Sequence, residues 1–329
     1  MCETTMNIAY FGSPKLSAQL LSSLIKNKNI QIKLVVTQPD RPAGKHLALT
    51  PTDVKNQAKI SSIQVFDQRI DSNQEQELIN QFKNLNIELC IVFAFGAMIS
   101  LKLLDSVKFG FWNIHPSRLP KYRGAAPTTY PIALGERTTG VTLIQMNEEM
   151  DQGAIIDQVD MPIDLNMNRT DIEAKTIPIA TTMIEGAVNA LEENGSVPTK
   201  PQTHANASYT RRITKQDGFI PLGLLVSGLK IDKKIQNGPL PRLINSYYEE
   251  NNVPIFHPIS IDHVIWNMYR ALTIWPGIWT FVPTPQGEKR LLIKNMSFAD
   301  NRLTLKLVQL EGKKEVLFSE FLKTYNIFE

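Results

Sequence analysis

The sequence predicts an α/β protein in which a parallel sheet is followed by a small OB-fold-like β-barrel. In the first half, short apolar runs rich in Val, Ile, Phe and Tyr alternate with amphipathic stretches, a pattern typical of βαβ units. After residue 208 the pattern changes to short strand-like segments punctuated by Gly and Pro, which favours a small barrel. A length of 329 residues suits one large domain and one smaller domain.

The first part of the chain predicts six strands and four clear helices. The strands are expected at residues 7–11, 32–37, 63–66, 88–95, 110–114 and 140–146, and the helices at 15–26, 53–59, 72–83 and 170–193. Thr170 is the expected N-cap of the last helix, which should end at Asn194-Gly195.

The domain limits follow from the polar, Pro-containing stretch after this helix. We expect a large domain at 1–200, a linker at 201–209 and a C-terminal domain at 210–329. Within the last, strands are expected at 278–282, 290–294, 303–310 and 315–318, about five in all for a barrel. Residues 222–258 form an insertion whose composition predicts no particular element.

Composition and charge exclude several classes of protein. Met1 to Phe11 has no signal-peptide pattern, and no apolar run approaches the roughly 20 residues of a membrane span, so we expect a cytoplasmic protein with no membrane partner. Two cysteines, Cys2 and Cys90, give no disulfide framework and no metal cluster. The net charge is +3, and from His204 onward there are 16 Lys and Arg against 11 Asp and Glu. This basic excess is compatible with nucleic-acid binding, and equally with a solvated surface.

Polar residues at the ends of predicted strands point to chemistry, because open parallel sheets bind ligands beyond the C-terminal strand ends. The first strand lacks a three-glycine fingerprint, so a nicotinamide cofactor is not expected. Asn113 and His115 alternate onto one side of the fifth strand, and Asp151 follows the sixth. Together they offer a hydrogen-bond donor, a base near neutral pH and a carboxylate to orient it.

Each of these three residues also has a structural explanation. His115 could be a hydrogen-bonded core histidine, Asn113 a turn former and Asp151 a loop residue. Their joint position at strand ends favours the catalytic interpretation.

The segment after His115 carries a resemblance. Asn113-x-His115, Ser117, the stretch 119–127 (Leu-Pro-Lys-Tyr-Arg-Gly-Ala-Ala-Pro) and Asp151-x-Gly153 together resemble the active-site signature of the folate-dependent formyltransferases. The chain is most similar to the methionyl-tRNA formyltransferase branch of that family, through matching segments at 38–44, 122–127, 139–142, 214–218, 270–272, 275–277 and 312–314.

This resemblance implies a Rossmann-like formyltransferase domain followed by an OB-like tRNA-binding domain. It implies 10-formyltetrahydrofolate as the formyl donor and initiator methionyl-tRNA as the acceptor, so that a reduced folate and a tRNA are partners, and it implies no metal. Asn113 would stabilise the oxyanion, His115 would accept a proton, and Asp151 would orient the histidine. We expect a monomer.

The resemblance also implies binding residues. Those expected at the folate are Phe93, Phe95, Gly96, Ala97, Met98, Ser117, Leu119, Pro120 and Glu149. Those expected at the methionyl-tRNA are Ser13, Pro14, Arg41, Lys45, Arg123, Arg211, Arg212, Lys215 and Lys294. The alternatives are the end of a buried strand for residues 93–98, a tight turn for Ser13 and Pro14, and a solvated surface for the cations.

The chain departs from the family pattern at three places, and other functions remain open. The loop after Gly44 carries fewer charges than usual, Arg118 stands where a leucine is usual, and 222–258 is longer. A formyltransferase for an amino sugar nucleotide or for glycinamide ribonucleotide would keep the same three catalytic residues. A formyltetrahydrofolate hydrolase would carry a regulatory module in front. A catalytically silent RNA-binding protein is disfavoured because Asn113, His115 and Asp151 are all present.

Overall fold

The computed structural model describes residues 6–43, 47–230, 240–254, 260–325 and 327–328. The strands are β1 (Met6–Gly12), β2 (Ile30–Val36), β3 (Arg41–Ala43), β4 (Ala48–Thr50), β5 (Gln64–Phe66), β6 (Leu89–Phe93), β7 (Phe111–His115), β8 (Arg123–Gly124), β9 (Thr138–Gln145), β10 (Ala154–Pro162), β11 (Tyr209–Thr210), β12 (Ile278–Thr284), β13 (Gly287–Ala299), β14 (Arg302–Leu310) and β15 (Glu315–Leu317). The helices are α1 (Lys15–Leu24), α2 (Asp53–Ile60), α3 (Ser72–Asn84), α4 (Leu101–Leu104), α5 (Thr129–Ala133), α6 (Arg169–Asn194), α7 (Leu222–Leu229), α8 (Arg242–Glu250), α9 (Ile261–Ala271) and α10 (Phe318–Thr324).

The chain divides into two compact units. Unit 1 comprises Met1–Arg123, Gly140–Met161 and Glu173–Ala207, and unit 2 comprises Gly124–Thr139, Pro162–Ile172 and Ser208–Glu329. Two stretches that precede residue 200 therefore group with the C-terminal residues. The sequence predicted different limits, with one linker at 201–209 between two continuous domains, and those domain limits remain a prediction.

Unit 1 is built on a sheet whose strand order, over the described residues, is β10-β9-β7-β6-β1-β2-β5. The pairs β5–β2, β2–β1, β1–β6 and β6–β7 are parallel, which confirms the predicted α/β class with a parallel-dominated sheet. Strand β9 runs antiparallel to β7, and β10 was not predicted. Most residues of β10 are half-buried, and its sequence does not alternate between apolar and polar residues. The strand therefore lacks the pattern by which the other strands were predicted.

The core of unit 1 lies on both faces of this sheet, because alternate residues of a strand point to opposite sides. Ile8 and Tyr10 of β1 pack in one cluster with residues of α1 and α6, while Ala9 and Phe11 pack in a second cluster with residues of α3. A strand buried on both faces must be apolar throughout, and the sequence of β1 meets that condition.

Helix α6 begins one residue earlier than expected, and the predicted cap is wrong. The side chain of Asn168 accepts hydrogen bonds from the backbone N–H groups of Thr170 and Asp171, at 2.8 and 3.3 Å. Asparagine is at least as good an N-cap as threonine, so residue type alone does not favour Thr170 over Asn168, two residues earlier.

Unit 2 contains an antiparallel sheet in the order β12-β13-β14-β15, the small β domain that was predicted. Four strands occur in this sheet among the described residues, against the five or so expected. The predicted insertion contains α7 and α8, while residues 231–239 and 255–259 lie outside the described ranges. Every helix in the described part of the chain is too short or too polar to cross a bilayer.

Candidate active site

Three side chains predicted to be catalytic meet at the end of β7. Asn113 and His115 lie on this strand, and the loop between β9 and β10 brings Asp151 beside them. The Asn113 amide nitrogen donates to Asp151 Oδ1 at 3.4 Å, and His115 Nδ1 lies 3.5 Å from the same oxygen. The His115 and Asp151 side chains are only 5% and 13% exposed, so this group is largely shielded from bulk water.

The tautomer of His115 is fixed by a backbone carbonyl. His115 Nε2 lies 2.9 Å from the carbonyl oxygen of Tyr122, which can only accept, so Nε2 carries the hydrogen. In the neutral ring Nδ1 is then the unprotonated nitrogen, and it faces Asp151. The sequence predicted Asp151 as the residue that orients the ring, and the Tyr122 carbonyl is a second partner, on the opposite ring nitrogen.

Both residues that contact the His115 ring have a strained backbone conformation. Tyr122 and Asp151 have φ angles of 63° and 55°, in the left-handed region that non-glycine residues adopt at a cost of roughly 1–3 kcal/mol. Gly153 follows Asp151 for a steric reason, because a Cβ there would lie 1.9 Å from the carbonyl oxygen of Gln145. The Asp-x-Gly pattern thus combines one functional side chain with one obligatory close approach.

Buried polar contacts hold residues 116–123, which we name the histidine loop. The hydroxyl of Ser117 donates to the carbonyl of Lys121 at 2.7 Å. The hydroxyl of Thr142, on β9, donates to the carbonyl of Ser117 at 2.7 Å and accepts from the N–H of Leu119 at 3.2 Å. Gln158, on β10, donates to the Leu119 carbonyl and to the Thr142 hydroxyl, both at 2.9 Å. The loop is therefore held through its backbone by two strands of the sheet.

Comparison with known proteins shows which family this chain belongs to. The family model described as Formyl transferase matches residues 6–187, more than half of the chain. The methionyl-tRNA formyltransferase of Clostridioides difficile is 30% identical over 318 residues, which cover 97% of this chain and 96% of the relative. That of Thermotoga neapolitana is 34% identical over 318 residues, with 96% and 94% covered. The chain belongs to the methionyl-tRNA formyltransferase family.

Solved structures share the fold of this family. The N-formyltransferase from Helicobacter canadensis, in complex with folinic acid and dTDP-3-aminofucose, aligns with a TM-score of 0.55 at 16% identity. The alignment covers 95% of this chain and 98% of that chain. At such low identity the likeness shows a common fold, and it says nothing about the substrate of this family member.

The residues expected at the folate fall into two groups. Phe93 and Phe95 are 1% and 3% exposed and pack in the core, so a contact of these two residues with folate would have to use their backbone groups. Their place at the folate site stays a prediction, because an apolar strand end and an apolar ligand pocket have the same composition. The next residues, 96–98, are exposed, and the Ser13 hydroxyl donates to the Phe95 carbonyl at 3.0 Å.

The other expected folate residues belong to the histidine loop and the β9–β10 connection. Ser117 and Leu119 are buried, Pro120 is half-buried, and Glu149 is exposed. Ser117 is committed to an internal hydrogen bond, so any contact of its hydroxyl with folate would compete with that bond.

Two of the cations expected at the tRNA are already engaged within the protein. Arg123 is fully buried and donates to Gln202, so it is not a phosphate contact. Arg211 forms a bidentate pair with Asp217 at 2.7 and 2.8 Å. Burial by itself raises the pKa of Asp217, but hydrogen bonds from Arg211 and Thr214 outweigh that effect and lower it. We therefore assign both arginines to the internal structure of their units.

The remaining cations are exposed. Arg41 in unit 1 and Arg212 and Lys215 in unit 2 are exposed, and Lys294 in unit 2 is exposed with its ammonium 3.0 Å from a Glu315 oxygen. Lys45 lies outside the described residues. Ser13 is half-buried, and Pro14 is the exposed N-cap of α1.

The sequence missed several residues that organise the site. Thr142 lies in the matching segment 139–142, but nothing in the pattern separates a strand residue from a residue that anchors a loop.

Lys55, on α2, forms ion pairs with Asp40 at 2.7 Å and with Asp67 at 2.5 Å. The hydrogen bonds that Lys55 donates to Asp40 and to Asp67 raise the pKa of Lys55 above its ordinary value. Among the described residues, no cluster of His, Cys, Asp and Glu could hold a metal ion.

Proposed function

We propose that this protein transfers the formyl group of 10-formyltetrahydrofolate to the α-amino group of methionine on initiator methionyl-tRNA. The observation that carries the proposal is the contact of Asp151 Oδ1 with both the Asn113 amide and the His115 ring, in a chain of this family. The relatives from Clostridioides difficile and Thermotoga neapolitana are named methionyl-tRNA formyltransferases. Their similarity extends over nearly the whole chain, which supports the same acceptor.

The chemistry requires one proton acceptor and one stabiliser of negative charge. The neutral amine attacks the formyl carbon, and the bond between that carbon and the folate nitrogen breaks after a tetrahedral intermediate. His115 takes the proton that the amine loses, at Nδ1, since Nε2 already donates to Tyr122. The imidazolium then gives this proton to the folate nitrogen as the carbon–nitrogen bond breaks, which releases tetrahydrofolate and restores the neutral histidine. Asp151 lies beside Nδ1 and stabilises the imidazolium that forms.

Asn113 is suited to the developing oxyanion. Its amide has two hydrogens, so one can be shared with Asp151 while the other faces the reacting oxygen. Loss of such a donor typically costs on the order of 10²-fold or more in turnover. An amine is a good nucleophile once neutral, so this scheme assigns no step to a metal.

Two further proposals concern binding. The exposed residues 96–98 and the connection around Glu149 would hold the folate, and Arg41, Arg212 and Lys215 would contact tRNA phosphates. The domain at 210–329 would provide the second part of the tRNA-binding surface.

The test is transfer of labelled formyl from 10-formyltetrahydrofolate to charged initiator methionyl-tRNA. We expect labelled product with the wild type and a large loss with His115→Ala. Elongator methionyl-tRNA measures selectivity, and an amino sugar nucleotide tests the other acceptor class. Product with the sugar and none with the tRNA would overturn the proposal.

A further inference from the structure

A chain of buried polar contacts links Arg123 to the backbone that carries Asp151. Arg123 is completely buried and Gln202 is 6% exposed. Arg123 donates from Nε and Nη2 to Gln202 Oε1, at 3.2 and 2.7 Å. The amide nitrogen of Gln202 in turn donates to the carbonyl oxygens of Asp151 and Gly153, at 2.9 and 2.8 Å.

The arginine fixes the orientation of this amide. A guanidinium can only donate, so the oxygen of Gln202 must face Arg123 and its NH₂ group must face the opposite way. Both hydrogens of that group then meet acceptors, one on each side of Gln152. A single amide therefore holds two carbonyls of one turn in place.

This turn is the one in which Asp151 adopts its unusual backbone conformation. Its φ of 55° is disfavoured for an aspartate, so contacts around it must select that conformation. The Gln202 amide donates to the carbonyl of Asp151 itself and to the carbonyl of Gly153, two residues later. The direction of the Asp151 carboxylate toward His115 Nδ1 depends on this backbone.

We propose that Gln202, oriented by Arg123, is a positioning residue that sets the place of the Asp151 carboxylate relative to His115. The inference rests on the proposed function, because Gln202 would position the Asp151 carboxylate, which acts on His115 in that function. Sequence patterns pointed elsewhere: Arg123 was expected at the tRNA, and Gln202 in a linker.

Substitution of Gln202 by Glu separates the two halves of this contact. The carboxylate of Gln202→Glu still accepts from Arg123 but has no N–H for the Asp151 and Gly153 carbonyls. We expect kcat to fall by up to about 100-fold, as for a small misplacement of a catalytic group, with KM for folate and tRNA unchanged within about twofold. Gln202→Met removes both halves and should cost at least as much. Gln76→Glu, at an exposed position on α3, makes the same chemical change as a control and should leave kcat unaltered.

A double-mutant cycle distinguishes positioning from general damage. If Gln202 acts through Asp151, Gln202→Glu should have little further effect in an Asp151→Ala background. An equal loss of kcat in both backgrounds would overturn the proposal. Thermal unfolding of each variant checks that the protein remains folded.

A second measurement does not depend on turnover. The ring nitrogen resonances of His115 in the NMR spectrum should shift in Gln202→Glu and not in Gln76→Glu. Unchanged His115 resonances in Gln202→Glu would also overturn the positioning role. If instead the resonances shift while the wild type forms no formyl-methionyl-tRNA, the proposed acceptor fails and the positioning of Asp151 stands.

Discussion

Two loops leave the same sheet in unit 1, and they are built on different principles. The histidine loop follows β7 and is held by buried hydroxyl and amide groups from β9 and β10. Residues 38–43, which we name the arginine loop, follow β2 and are exposed at Arg41 and Pro42. Residues 41–43 form β3, which pairs with β4, and the side-chain anchor of this loop is the ion pair of Asp40 with Lys55. A catalytic side chain must be held at a fixed position, which suits the buried hydrogen bonds of the histidine loop. Contact with a charged polymer does not need such precision and suits an exposed loop.

The largest effect on turnover is expected from substitution of His115, whose ring contacts the histidine loop at the Tyr122 carbonyl. His115→Gln can still donate to the Tyr122 carbonyl but cannot take up a proton, so turnover should fall by about 10²–10⁴-fold. The formyl-transfer rate at saturating substrates measures this, with thermal unfolding as the check on folding. A loss below tenfold would show that the histidine is not the base.

The rigidity of the histidine loop predicts a large effect on stability. Thr142→Val keeps the shape of the side chain but leaves the Ser117 carbonyl and the Leu119 N–H without their hydroxyl partner. We expect a loss of about 1–3 kcal/mol in the free energy of unfolding, measured by denaturant titration. Thr182→Val, at an exposed position on α6, is the matched control and should change stability far less. Equal effects would remove the distinction between the loops.

The arginine loop predicts an effect on binding alone. Arg41→Gln should raise KM for tRNA several-fold, leave kcat nearly unchanged and reduce the slope of log affinity against log salt by about 1. Lys28→Gln, an exposed cation on the same unit, serves as the control. A fall in kcat with constant KM would place Arg41 in the chemistry instead.

The smallest effect concerns the anchor of the arginine loop, and its sign follows from the raised pKa of Lys55. Because folding favours the protonated ammonium, the stabilisation is complete below the unfolded pKa of about 10.4 and is lost as pH rises through the higher folded pKa. Lys55→Met should therefore lower the free energy of unfolding by about 1 kcal/mol or less near pH 8. The difference from wild type should shrink above about pH 10.4. A difference that grows with alkaline pH would contradict this assignment.

Much of the site could be predicted from the sequence, and what failed shares a cause. Asn113 and His115 were placed together because strand alternation is a local rule, and the apolar runs of β1 and β6 predicted their strands. Arg123 and Phe93 were assigned to ligands although both are buried, and Arg211 was assigned to the tRNA although it pairs with Asp217. Residue type does not show whether a cation finds an internal acceptor such as Gln202 or Asp217, or whether an aromatic ring faces a core or a pocket.

The amino-acid sequence was enough to predict the α/β class with its small β domain, the family and three candidate catalytic residues. Those features depend on local periodicity and on short motifs, and both are written along the chain. The tertiary structure decided the tautomer of His115, the anchoring of the histidine loop by Thr142 and Gln158, and the contact of Gln202 with the Asp151 turn. Each of these joins residues distant in sequence, and a hydrogen bond depends on distance and direction in space, which only the folded chain supplies.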